Sequence, residues 1–194
     1  MKKGCLVSLI VGGVLLFGLL GVGGCVGGKY NQFVKMEERA NQAWANVETV
    51  LQRRYDLIPN LVSTVKGYAS HEKQLLEEVT RLRSQWGEAR ASGDEEQSVK
   101  TAGMLESALG RLMVVVENYP ELKANQNFLA LQDELAGTEN RISVERRRYN
   151  EAVATYNMTI REWPGNMLAS MMGFDRKAPF ESAPEASQAP TVEF

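Results

Sequence analysis

From Phe33 apolar residues return first after seven positions and then at intervals of three and four, at Ala40, Trp44, Val47 and Leu51. That spacing paints one face of an amphipathic helix and predicts a first helix over residues 29–55. A second stripe runs through Ile58, Leu61, Val62, Val65, Ala69, Leu75, Leu76, Val79, Leu82 and Trp86 and closes near Gly93, where a left-handed glycine can end it and Asp94 with Gln97 can cap the next helix. A third helix carries Ala102, Leu105, Leu109, Leu112, Val116 and Tyr119 and stops at Pro120, and the fourth carries Phe128, Leu131, Leu135, Ile142, Tyr149, Val153, Tyr156, Ile160 and Trp163. No useful stretch alternates with the period of a strand. The first two stripes join without losing phase. A single rod over residues 29–91 would be about 93 Å long, more than two later helices could cover, so a break is expected in which Asp56 caps the second helix and Pro59 sits in its first turn. The fold class is therefore all-α, an N-terminal transmembrane helix followed by an up-and-down four-helix bundle over residues 29–177.

The anchor is read from residues 4–28, which carry no formal charge and, at 25 residues, can cross a bilayer core. Lys2 and Lys3 in front favour a cytoplasmic amino terminus and an exported domain, against the weaker opposing pull of Lys29, Lys35 and Arg39. The same residues admit a second reading as a lipoprotein signal, because Val22-Gly23-Gly24-Cys25 looks like a lipobox whose Cys25 would be lipidated. Either way the domain is tethered. Gly4, Ser8 and Gly12 form a small-residue row that could bring two anchors together, so a homo-oligomer is compatible with the sequence, although glycine is common in membrane spans.

Charge and composition narrow the chemistry. Setting Lys2 and Lys3 aside, the chain has 20 basic against 24 acidic residues, which argues against nucleic acid as a partner. Cys5 and Cys25 both lie in the anchor and His71 is the single histidine, so no metal or cofactor site is expected. Ser70-His71-Glu72-Lys73 holds a Ser-x-x-Lys without the partner motifs that such a site needs. Arg146-Arg147-Arg148 reads as a solvated, salt-bridged face, and Glu77-Glu78 and Glu95-Glu96 are splayed by helical geometry and unsuited to act as acid and base. No catalytic residue is assigned.

Four groups of residues are candidates for binding. Arg53, Arg54, Tyr55, Asp56 and Asn60 are expected at the pole far from the membrane, where the turn with Tyr119, Glu121 and Lys123 would join them in a partner-binding patch. Glu72, Thr138 and Glu139 interrupt apolar stripes at one level of the bundle and would form a polar layer with Arg141, Lys66 or His71 as cationic partner, more simply a register-setting layer than a ligand site. Tyr30, Phe33, Trp86, Trp163, Met167, Met171, Met172 and Phe174 are expected at the membrane end, lying on lipid beside Arg176 and Lys177 or plugging the open end of the bundle. Residues 178–194, with three prolines and three glutamates, read as a mobile tail whose Pro190-Thr191-Val192-Glu193-Phe194 could dock elsewhere.

Across nearly the whole chain the ordered segments Tyr30-Asn31, Gln52-Arg53-Arg54-Tyr55-Asp56-Leu57-Ile58-Pro59-Asn60-Leu61-Val62, Val65-Lys66-Gly67-Tyr68-Ala69, Tyr119-Pro120-Glu121-Leu122-Lys123-Ala124-Asn125, Glu139-Asn140-Arg141-Ile142, Tyr149-Asn150, Tyr156-Asn157 and Gly173-Phe174 resemble the LemA family of membrane-anchored proteins. Trp163 departs from the phenylalanine usual there. The resemblance implies a four-helix bundle and no established chemistry. As partners it implies the membrane and other membrane proteins, among them a membrane metalloprotease. The expected role is a non-enzymatic scaffold or adaptor in the cell envelope; a protease regulator and an uncharacterised hydrolase centred on Glu72 are the alternatives.

Overall fold

The structure is a computed structural model that describes residues 2–180, apart from the side chains of residues 2–11, 14–16, 18–22 and 25. The side chain of the lipidation candidate Cys25 and the docking motif at residues 190–194 thus lie outside what is described. Among those described there are helices and no strands: α1 (Lys2–Asp56), α2 (Ile58–Lys66), α3 (Lys73–Ser92), α4 (Glu95–Val116), α5 (Pro120–Lys123), α6 (Gln126–Arg161) and α7 (Gly165–Met172). Residues 4–28 belong to the first part of α1, and among the described residues no helix is long and apolar enough to cross a membrane.

The expected reversal at Pro59 does not occur. Asp56 caps nothing and instead accepts a hydrogen bond from Gln52 at 2.6 Å. Leu57 keeps right-handed helical angles (φ −79°, ψ −22°), and its amide and carbonyl bond to Arg54 and Leu61 at 3.2 and 3.0 Å, so α1 passes into α2 with a local irregularity only. Proline in the first turn of α2 loses no intrahelical bond of that helix, but it deprives the carbonyl four residues back, that of Tyr55, of its usual donor. Arg83 of α3 supplies the missing donor, its Nε reaching the Tyr55 carbonyl at 3.1 Å. The chain turns back later, at residues 67–72, between α2 and α3. At the next turn the sequence is read correctly. Gly93 takes φ +74°, and the Asp94 carboxylate accepts from the Gln97 amide at 2.9 Å. Asn125 similarly starts α6, accepting from the amides of Asn127 and Phe128 at 2.9 and 3.1 Å.

The described chain divides into two compact units. The larger takes Ala43–Asn150 and the residues from Ala178, the smaller the residues up to Gln42 and Glu151–Lys177. In the larger unit four helical segments run up and down, each neighbouring pair antiparallel and tied by charged side chains. α1 meets α3 through Arg90 with Gln52 (2.7 Å) and Glu48 (3.8 Å), α3 meets α4 through Arg111 and Glu78 (2.8 Å), α4 meets α6 through Arg146 and Glu106 (2.6 Å), and α6 returns to α1 through Arg54 and Glu139. Inside the ring the predicted stripes form the core, with Val47, Leu61, Val65, Leu82, Leu105, Leu112 and Ile142 fully buried. In the smaller unit Phe33, Tyr156, Ile160 and Ala169 make a second core, closed by Met36, Leu168 and Phe174. Gly165 lets α7 approach closely, for a Cβ there would press on the Phe33 ring at 3.1 Å and lie 3.4 Å from the Thr159 carbonyl.

The joint at Pro59 is testable by a double-mutant cycle. Arg83→Met should destabilise by about 1–3 kcal/mol, the cost of leaving a buried carbonyl without a donor. In a Pro59→Ala background the new amide can serve Tyr55, and the same substitution should cost clearly less. Equal costs in the two backgrounds, measured by denaturant unfolding, would show that Arg83 acts elsewhere.

Candidate functional site

The polar-layer and distal-patch residues are not assembled as the sequence suggests. Because the reversal lies beyond α2, Glu72 sits in the α2–α3 turn, where its carboxylate accepts from the Tyr119 hydroxyl at 3.1 Å. That bond, followed by burial and the carboxylate charge, raises the Tyr119 pKa. Thr138 is buried and satisfied by its own helix, donating to the Leu135 carbonyl at 2.8 Å, Glu139 pairs with Arg54, and Arg141 is exposed. No common layer joins Glu72 to Thr138, Glu139 and Arg141.

The distal patch divides too. Arg54 and Tyr55 are buried rather than displayed, and Tyr55 packs edge-on against Trp86 with ring centroids 4.5 Å apart. Burial raises the Tyr55 pKa above the ordinary tyrosine range. Arg53, Asp56 and Asn60 are exposed, with Arg53 reaching Glu134 of α6 at 3.4 Å. The turn carrying Tyr119, Glu121 and Lys123 meets the α2–α3 turn instead: Asn125 donates to the Tyr68 hydroxyl at 2.9 Å, and Lys123 pairs with Glu117. Between α3 and α4 an open groove of about 770 Å³ is lined by His71, Glu72, Leu75, Glu78, Arg111 and Val114. Two of its carboxylates are engaged, Glu72 by Tyr119 and Glu78 by Arg111.

The membrane-end residues fare differently. Trp86 does not belong with them: it is 2% exposed in the larger unit, since α3 returns only to the level of Glu48 on α1. Phe33 is wholly buried, and Phe174 packs edge-on against it and against Tyr30, at 5.3 and 5.9 Å. The remaining residues face outward. α7 presses Gly165 and Ala169 inward, while Met167 and Met171, four residues apart and so on one helical face, are 65% and 83% exposed. Trp163 is 81% exposed just before it, and Met172, Tyr30, Val34 and Arg176 are exposed in the same unit. Ala169, Leu168 and Phe174 therefore do the plugging, and the methionines and Trp163 do not.

Side chains beyond the sequence candidates organise the segment after α7. Tyr156 donates to the Asp175 carbonyl at 2.8 Å, and the Asn157 carboxamide holds both the amide and the carbonyl of Lys177, at 3.0 and 2.8 Å. In the larger unit Tyr149 donates to the Ala178 carbonyl at 3.0 Å, and Asn150 holds the amide and carbonyl of Phe180 at 2.7 and 3.0 Å. Phe180 is 3% exposed, so the expected mobile tail cannot begin at 178. An aromatic anchor in a proline-rich stretch and the repeated Tyr-Asn pair were the available signals. Arg146 is also more than a member of a solvated basic face, for its guanidinium stacks on the Phe180 ring at 4.4 Å.

Comparison with known proteins gives the family. A model of the LemA family matches residues 43–194. The chain belongs to the LemA family. Magnetosome protein MamQ 2 of Paramagnetospirillum magneticum is 32% identical over 179 residues, covering 80% of this chain and 66% of that protein. Magnetosome protein MamQ of Magnetospirillum gryphiswaldense is 31% identical, with the same coverage. Protein LemA of Metamycoplasma hominis is 23% identical over 156 residues, 80% of this chain and 70% of that protein. This LemA-family chain thus spans just under two thirds of the length of the MamQ proteins it matches.

Burial first, and then the charges of Glu37 and Asp175, push the Tyr156 hydroxyl up to about 12. A raised folded-state value means that the folded chain holds this proton more tightly than the unfolded one. The contribution is complete below the unfolded value of about 10 and is lost as pH rises through the folded value of about 12. Below that window wild type should melt above Tyr156→Phe by the worth of one hydrogen bond, about 1 kcal/mol. The gap should close across the window; melting curves in which it widens there would refute the assignment.

Proposed function

We propose that this LemA-family protein is a membrane-tethered helical scaffold that works by binding other membrane proteins, with its smaller unit resting against the lipid surface. The observation that carries the reading is the outward placement of Trp163, Met167 and Met171, at 81%, 65% and 83% exposure, in the unit that also contains the uncharged residues 4–28. A stable helix that buries glycine and alanine and displays methionines has its small and large residues arranged the wrong way round for packing in water. The arrangement suits a lipid interface, where tryptophan favours the headgroup level and methionine adapts to uneven apolar surroundings. Exposed Arg176 and half-buried Lys29 can meet anionic headgroups. The uncharged stretch would then be the span, or the signal before a lipid anchor. The names of the MamQ relatives carry a cellular structure, the magnetosome, and no reaction, which accords with a binding role.

Trp44 and Trp86 are 6% and 2% exposed, so Trp163 is the tryptophan open to quenching. In the full chain reconstituted in anionic vesicles, lipids brominated near the headgroup should quench part of the tryptophan emission. Trp163→Phe should remove that part, and Met167→Ser with Met171→Ser should reduce it. Melting should change by no more than about 0.5 kcal/mol, as for other exposed positions. Quenching that is absent, or that survives Trp163→Phe, would sink the lipid contact.

A further inference from the structure

In the larger unit a segment outside any helix is held in a way that helix packing does not require. Asn150 reads one residue of it from both sides, accepting from the Phe180 amide at 2.7 Å and donating to the Phe180 carbonyl at 3.0 Å. The Tyr149 hydroxyl donates to the Ala178 carbonyl at 3.0 Å. All three bonds go to main-chain atoms, so they say nothing of the segment's sequence. Ala178 and Pro179 are exposed, and no bond calls on the amide that Pro179 lacks. One side chain alone is read. The Phe180 ring is 3% exposed, with the Trp44 ring 6.3 Å away and the Arg146 guanidinium 4.4 Å over it.

The walls of this notch are fixed by groups other than the segment. Arg146 is held by Glu106 of α4 at 2.6 Å, and Trp44 of α1 packs on Tyr149 of α6 with centroids 5.3 Å apart. Main-chain hydrogen bonds for affinity, joined to one preformed pocket for specificity, are the components of peptide recognition. The segment is not part of any helix, so no helical hydrogen bond is broken when it leaves. Its departure would uncover an aromatic wall and a carboxamide that an incoming segment can satisfy in the same way.

We infer that the notch formed by Trp44, Arg146, Tyr149 and Asn150 is a peptide-binding site, occupied by the chain's own residues 178–180 as a built-in ligand and taking in exchange an extended segment of a protein partner that presents an aromatic anchor. The anchor residue must itself have an amide hydrogen for Asn150, whereas the residue before it is unrestricted and can be proline. This deepens the binding role proposed above by giving the chemistry of the partner, and it rests on that role. The tethered segment competes at the high effective concentration of an intramolecular ligand, so partners bind weakly until it is released.

The test uses the full chain and a fluorescently labelled peptide with the sequence of residues 175–180. Phe180→Ala removes the built-in anchor, and that variant should bind the peptide about tenfold or more tightly than wild type does, in line with loss of an intramolecular competitor. Adding Asn150→Ala should reverse the gain, and a peptide with alanine in place of its phenylalanine should not bind. A folded Phe180→Ala variant that ignores the peptide, or binds it just as well without Asn150, overturns the proposal. Hydrogen exchange on wild type serves if Phe180→Ala does not fold. The Phe180 amide should exchange at least about tenfold faster than the α6 amides near Asn150, as a segment that opens locally does, and equal protection would show that the segment does not release. Brominated-lipid quenching of Trp163 read in the same samples should stay unchanged, so a failure of lipid contact and a failure of peptide binding are told apart.

Discussion

One hydrogen bond sets the level at which the bundle is assembled. Pro59 leaves the Tyr55 carbonyl without its helical donor, and the Arg83 side chain takes the vacant place at 3.1 Å. α3 is thereby pinned to α1 three residues before Trp86, which brings the indole against the Tyr55 ring at 4.5 Å, and a further turn along it places Arg90 on Gln52 and Glu48. α4 follows α3 through a tight capped turn, and its own level is then fixed as well, with Glu106 opposite Arg146. The α3–α4 hairpin has 20 and 22 residues in its arms, about 30 Å each. A hairpin of that length covers only part of helices as long as α1 and α6, with 55 and 36 residues. In the smaller unit Phe33 of α1 and Tyr156 and Ile160 of α6 are covered by α7 and Phe174.

The stripes made the helices legible, because apolar spacing of three and four sustained over many turns matches the pitch of an α-helix and no period of a strand. Asp94 and Gly93 were legible for the same kind of local reason, a cap and a left-handed closing residue in the right order. The place of the reversal was not. Proline in a first turn is compatible both with a new helix after a loop and with a helix that merely loses one bond, and the choice rests on Arg83, 24 residues further along the chain. Placing the turn at Asp56 instead of residues 67–72 lengthens the returning arm, and that one displacement carries Glu72 down into a core layer and Trp86 down to the membrane end. Both misplacements are thus a single error of level.

Charge was hard to read for a related reason. On a helix wheel Arg54 looks like a neighbour of exposed Arg53, yet it is turned inward to Glu139 while Arg53 stays at the surface with Glu134. Arginine tolerates this because its long stem can line a core while its fork meets a carboxylate near the edge. Buried ion pairs of this kind add little net stability against apolar replacements, but they penalise any register that separates them. Each helix–helix seam of the larger unit holds at least one ion pair, and the more buried of them, Arg54–Glu139 and Arg146–Glu106, are therefore better understood as setting levels than as adding strength.

An all-helical protein that needs to hold an extended segment faces a shortage of partners, since the backbone groups of a helix are already bonded to one another. Side chains must do what a neighbouring strand would do. Asparagine is suited to this because its carboxamide carries a donor and an acceptor in one plane at the end of a short, easily ordered stem. Each unit has one such reader. In the larger unit Asn150 holds the amide and carbonyl of Phe180, and Tyr149 holds the Ala178 carbonyl two residues before it. In the smaller unit Asn157 holds the amide and carbonyl of Lys177, and Tyr156 holds the Asp175 carbonyl two residues before it. Neighbouring side chains on the helix thus meet backbone groups two residues apart in the segment, and the same dipeptide makes the same three contacts twice. A Tyr-Asn pair on a helix is therefore a reader of non-helical backbone, and its repetition can be recognised in sequence.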